Sequence, residues 1–157
     1  LLLGLLLAPA LSIPAWAADN TIMIHDPYVR LAPPNAQATG AFMLIKNSGS
    51  TDRKLIKAAS PAAKTVELHT HINENGIMKM REVPAINIKA HGQTELKPGS
   101  YHVMLIDMQA VLKEGDSVAI TLSFDDGSTQ QIAAPVRKIQ VTAMPAEKGM
   151  AHGGMKH

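Results

Sequence analysis

The chain has 157 residues and a formal net charge of +2, from 15 Lys plus Arg against 13 Asp plus Glu. Its basic residues are scattered and only 3% of residues are aromatic, which argues against nucleic-acid binding. It holds nine Met and seven His but no Cys, so disulfides and thiol chemistry are excluded and any soft-ligand capacity rests on thioethers.

Residues 1–17 read as a signal peptide. Leu1 to Leu7 is almost pure leucine, and Ala15-Trp16-Ala17 supplies the small-x-small cleavage pattern. The apolar run is short of the roughly 20 residues that cross a bilayer, and Pro9 and Pro14 interrupt it. No Cys follows the cleavage site, so no lipoprotein-type anchor is expected. The expected product is an exported, periplasmic protein cleaved after Ala17. Its length suits one domain, placed at 18–142.

The domain reads as β throughout. Short runs fall at Thr21 to Ile24, Tyr28 to Leu31, Gly40 to Asn47, Lys54 to Ala58 and Thr65 to Ile72. Others fall at Ile77 to Val83, His102 to Met108, Ser117 to Phe124 and Gln130 to Val136. Turn residues separate them, the pattern of a β-sandwich or barrel. Asn73-Glu74-Asn75-Gly76 predicts a hairpin loop with Gly left-handed. Asp125-Asp126-Gly127-Ser128 and Lys97-Pro98-Gly99-Ser100 predict further turns, the second leading into the His102 run. Ser60-Pro61-Ala62-Ala63 is the one place where a short helical turn is expected. Residues 143–157, with Pro145, Gly149, Gly153 and Gly154, read as a flexible tail.

The spacing of His69, Met80, His102 and Met104 carries the chemistry. Ten residues separate the first two, 21 the middle pair and one the last pair. Alternation places His102 and Met104 on one strand face. Met80 lies on the second arm of the 65–83 hairpin and His69 on the first, so the four can converge if that hairpin lies beside the His102 strand. Imidazole with thioether suits Cu(I), a soft cation. The structural alternative is that both methionines fill core gaps and the histidines are ordinary hydrogen-bonded groups. Among the other candidates, His71 shares a strand face with His69, and Met78 with Met80, so either could substitute as a ligand or stand behind one. His71 is read as a solvent-facing residue at the loop edge. Met23, Met43 and Met108 are expected in the core, with His25 and His91 on the surface.

Three segments together resemble the PCu(A)C family of periplasmic copper chaperones. They are Val66-Glu67-Leu68-His69-Thr70-His71, Gly76-Ile77-Met78-Lys79-Met80-Arg81 and Leu96-Lys97-Pro98-Gly99-Ser100-Tyr101-His102-Val103-Met104-Leu105. Their spacing fits that family's H-x10-M-x21-H-x-M motif, which does not include His71 or Met78. Ala41-Phe42-Met43-Leu44-Ile45-Lys46-Asn47 and Asp52-Arg53-Lys54-Leu55 are similar to it too, so the likeness spans about residues 22–137. The resemblance implies a cupredoxin-like (Greek-key) β-barrel. It also implies that His69, Met80, His102 and Met104 bind one Cu(I), which is delivered toward cytochrome oxidase assembly.

Met144, Met150, His152, Met155 and His157 form a second candidate metal site, in the tail. Its imidazoles suit Cu(II) and its thioethers Cu(I). The expected partner is a copper-accepting protein; a nucleic acid, a stable membrane anchor and self-association are not expected. A blue-copper electron carrier needs a Cys thiolate and fails. No nucleophile triad, phosphate loop or carboxylate pair points to an enzyme. Copper buffering and a metal-free adaptor remain the alternatives.

Overall fold

A computed structural model describes residues 20–139. The expected signal peptide and the tail candidates Met144, Met150, His152, Met155 and His157 therefore lie outside the described residues. The described chain is all strand and turn. In order the strands are β1 (Ile22–Arg30), β2 (Ala38–Asn47), β3 (Arg53–Ala59), β4 (Ala63–Glu74) and β5 (Ile77–Glu82). They continue as β6 (Ile86–Ile88), β7 (Gly92–Leu96), β8 (His102–Met108), β9 (Ser117–Phe124) and β10 (Thr129–Arg137). Among the described residues no helix is long and apolar enough to cross a membrane.

The strands run β5-β4-β8-β2-β1-β10-β9-β3-β6, with β7 added beside β2. All pairings are antiparallel except β1 with β10. That parallel pair joins the two halves of the sheet, and one core lies between them. Leu68, Val103, Leu105, Met43 and Ile45 reach it from one half, and Leu55, Ile86, Ile88, Ile120, Leu122 and Phe124 from the other. Each of these large side chains contributes about 1.5–3 kcal/mol by leaving water. The expected cupredoxin-like β-sandwich is the fold observed.

Several local expectations change. The two runs at Thr21 to Ile24 and Tyr28 to Leu31 are one strand with a bulge, where the register shifts between His25 and Tyr28. Asp26 takes φ 46° there and Pro27 offers no N–H to the ladder, so the irregularity is confined to one point. Strands β6 and β7 carry too weak a pattern to be expected: one has three residues, and Leu96 is the one fully buried residue in the other. The short helical turn at Ser60 to Ala63 is instead a plain turn, with Ala63 already opening β4.

Two turns fix how β4, β5 and β8 present their side chains. Asn75 (φ 53°) and Gly76 (φ 83°) form the tight turn joining β4 to β5, and the Asn73 carboxamide oxygen accepts from Gly76 N–H at 2.8 Å. Positive φ at both central positions matches the right-handed twist of a hairpin. Before β8, Pro98 and Gly99 (φ 81°) make a turn closed by Ser100 N–H donating to the Lys97 carbonyl at 3.0 Å. Proline fixes the first corner and glycine accepts the left-handed second one.

Candidate metal centre

The core side chains of β4 and β8 are Leu68, Val103 and Leu105, so the alternate residues face away from the core. On that outer face cross-strand pairing fixes the neighbours. His69 lies opposite His102, and Glu67 lies opposite Met104. Met80 lies opposite His71, not His69. On the other side of β8, Gly40 lies opposite Met104. One face of β5-β4-β8-β2 thus carries His69, Met80, His102 and Met104 together, with His71 and Glu67 among them.

His102 is the buried member, at 3% exposure. Phe42 packs on its ring at 6.2 Å between centroids, and Tyr28 packs on Phe42 at 5.3 Å. Its Nδ1 is 2.9 Å from the Ser100 carbonyl. A carbonyl only accepts, so Nδ1 carries the proton and Nε2 keeps the lone pair. Nε2 is buried and has no partner. Burial pushes the His102 pKa below its ordinary 6.5, against the opposing pull of the Ser100 carbonyl, and the nearby His71 and His69 lower it further. The ring is therefore neutral at pH 7, the form that can donate to a metal.

His69 shows the same arrangement in mirror form. Its Nε2 lies 2.7 Å from Glu67 Oε2. The carboxylate accepts, so in the neutral ring Nε2 carries the proton and Nδ1 holds the lone pair, and Nδ1 too is buried without a partner. A carboxylate or carbonyl behind an imidazole is the support that metal-ligating histidines receive, because it fixes tautomer and orientation. The His69 and His102 ring centroids are 5.7 Å apart.

Met80 is 41% exposed on the edge strand β5, all of whose residues are exposed, while Met104 is half-buried. His71, Met80, His102 and Met104 line one open cleft together with Phe42 and Gly40; His69 is not on its wall. Contrary to expectation, His71 is not a solvent-facing edge residue. It is half-buried, its ring lies 5.3 Å from that of His102, and its Nδ1 is buried without a partner. A run of alternating His on one strand was the signal for it. Two other expectations also fail: Met23 is 53% exposed rather than in the core, and His25 is half-buried rather than on the surface. Met43 is buried, Met108 packs partly against the core, and His91 is exposed, as expected.

Among the described residues no group of three or more His, Cys, Asp or Glu side chains is arranged to hold an ion. An ion on this face would have to recruit thioether sulfur, which selects for a soft metal.

The family profile described as "Putative lipoprotein LpqE-like" matches residues 22–136. The "Putative lipoprotein Lxx21020" of Leifsonia xyli subsp. xyli is 34% identical over 125 residues, 79% of this chain and 74% of the relative. Among solved structures, that of CuI-DR1885 from Deinococcus radiodurans is 35% identical, with a TM-score of 0.63 over 79% of this chain and 82% of the other. The copper-bound PCuAC domain from PmoF2 has a TM-score of 0.66 at 24% identity, covering 78% of this chain and 97% of that domain. This last likeness is one of fold.

Proposed function

Since the chain belongs to the LpqE-like family, whose solved neighbours are PCuAC domains, we propose that it is an exported copper chaperone. Its cargo is one Cu(I), held by His69 Nδ1, His102 Nε2 and the thioethers of Met80 and Met104. One observation carries the reading: the lone-pair nitrogens of two facing histidines are both buried with no partner, each on a ring already held from behind. Orphaned buried acceptors cost free energy, and an ion between them would offset it. The copper in the 35%-identical neighbour supports the same reading, and the lipoprotein names of the family and the Leifsonia relative support export to the periplasm.

The function is transfer without turnover, so no enzyme activity is assigned. Two imidazoles and two thioethers are neutral, and Cu(I) keeps its single charge. Thiolates bind this ion more strongly, so an acceptor offering them can draw it away. The cleft, at about 750 Å³, has far more room than one ion needs, which lets an incoming ligand enter before a resident one leaves. Met80, the exposed ligand on an edge strand, leaves first. The acceptor is a copper-accepting protein, with cytochrome oxidase assembly the destination implied by the family resemblance. The tail residues Met144, Met150, His152, Met155 and His157 are proposed as a second copper site that takes Cu(II) as well as Cu(I).

Met80→Leu and Met104→Leu keep apolar bulk and remove only sulfur. Each should weaken Cu(I) binding in competition with a chromophoric chelator, and affinities equal to the parent's would refute these two assignments. Truncation after Ala143 should lower the copper stoichiometry under oxidising conditions; unchanged stoichiometry in both redox states would sink the tail site.

A further inference from the structure

The geometry points to His71 as a third imidazole for the cargo ion, exchanging with His69 while His102 holds on. The inference rests on the copper-binding reading above and extends it to a residue outside the four-ligand set.

Several observations converge on His71. It shares the wall of the cleft with Met80, His102 and Met104, whereas His69 does not. It is the direct cross-strand neighbour of Met80, the pairing that brings side chains within about 5 Å at Cβ. Its ring is closer to that of His102 than the His69 ring is, 5.3 Å against 5.7 Å between centroids. Its Nδ1 is buried with no hydrogen-bond partner, in the same condition as His69 Nδ1 and His102 Nε2. Nothing equivalent to Glu67 holds the His71 ring among the described hydrogen bonds, so its freedom to turn differs from that of His69.

Two imidazoles thus lie on one strand face, two residues apart, one on the wall of the cleft and one behind it. An ion entering the cleft first meets His71 and exposed Met80. It then moves inward when the His71 nitrogen–copper bond breaks as the His69 Nδ1–copper bond forms. His102 and Met104 remain bound throughout. The step exchanges one neutral lone pair for another, so no electron or proton needs to leave or arrive. Release to an acceptor begins when Met80 lets go, and the reverse exchange then carries the ion from the His69 nitrogen back to that of His71.

The test uses the whole chain with Cu(I) itself as probe, anaerobically, against a chromophoric chelator, in the parent, His69→Ala, His71→Ala and the double variant. His69→Ala should retain one equivalent of copper at reduced affinity. Adding His71→Ala should weaken it by a further tenfold or more, about the least that losing a ligand's support costs at metal sites. In the parent, imidazole ¹⁵N resonances of His71 should shift or broaden as Cu(I) is added, a readout that depends on no variant folding. Equal affinities in His69→Ala and the double variant, with the His71 resonances unmoved, would overturn the inference. A parent that binds no Cu(I) would overturn the underlying function instead, so the two failures are distinct.

Discussion

Replacing Glu67 by Ala removes a group that touches no ion in the proposed arrangement yet decides how well His69 can bind one. Its Oε2 lies 2.7 Å from His69 Nε2, holding a proton on that nitrogen and leaving Nδ1 as the one that faces the proposed ion. A hydrogen bond to a charged partner contributes about 1.5–3 kcal/mol. The carboxylate side chain is 30% exposed and that of His69 13%, so water screens the interaction toward the lower figure. About 1.4 kcal/mol corresponds to a tenfold loss of affinity, at the bottom of the roughly 10–100-fold range for partners behind metal ligands. Glu67→Gln, whose amide oxygen still accepts, should lose only a few-fold. Competition with a Cu(I) chelator measures both, and circular dichroism checks that the strands persist. If Glu67→Ala bound Cu(I) within twofold of the parent, the carboxylate would not orient His69 and the mirror arrangement of the two histidines would have no functional content.

Other positions on and around the same face have consequences of their own. Gly99 sits at φ 81° with open space where a Cβ would go, so Gly99→Ala meets strain without a clash; urea unfolding should show a loss of about 1–2 kcal/mol, and an unshifted midpoint would contradict it. At Gly40 a Cβ would lie 2.9 Å from Phe42 Cζ. Because that ring is buried against His102, Gly40→Ala should cost about 1–3 kcal/mol by overpacking and also weaken Cu(I) binding; parent-like copper affinity would show that Phe42 does not fix His102. The depressed pKa of His102 makes the apo protein's stability pH-dependent. Above the ordinary 6.5 the ring is neutral folded and unfolded; as pH falls below it the unfolded chain takes up a proton that the folded one resists, so stability drops until the lowered folded value is passed. Unfolding of the apo protein followed from neutral pH downward should show that loss, and His102→Leu should flatten its slope; an unaltered slope would mean that other groups carry it.

Much of the fold was legible because burial on one face writes itself into a two-residue alternation. Ser117 to Phe124 was bounded to the residue for that reason, and His102 to Met108 by the Lys97-Pro98-Gly99-Ser100 turn before it. The turn at Asn75-Gly76 was legible from chemistry, since few residues other than Gly and Asn accept positive φ. Strand β7 was not: Gln93, Thr94 and Glu95 look like loop, and the strand exists because β2 offers it an edge. For the candidate centre, spacing in sequence singled out His69, Met80, His102 and Met104, and the ladder places all four on one face. Spacing could not reveal that Met80 faces His71, because that depends on a turn of two residues setting the register. Nor could it reveal which nitrogen of each ring is free, which depends on Ser100 and Glu67 approaching from behind.

The most direct measurement is an anaerobic titration of the whole chain with Cu(I) against a chromophoric chelator, beside a His102→Ala/Met104→Ala variant whose fold is checked by circular dichroism. The parent should take one tight equivalent that the variant loses, since in the proposed site these residues of β8 supply a buried nitrogen and one of the two sulfurs. A parent that fails to compete, or a folded variant that competes equally well, would mean that the unpartnered histidines on this face serve some purpose other than copper.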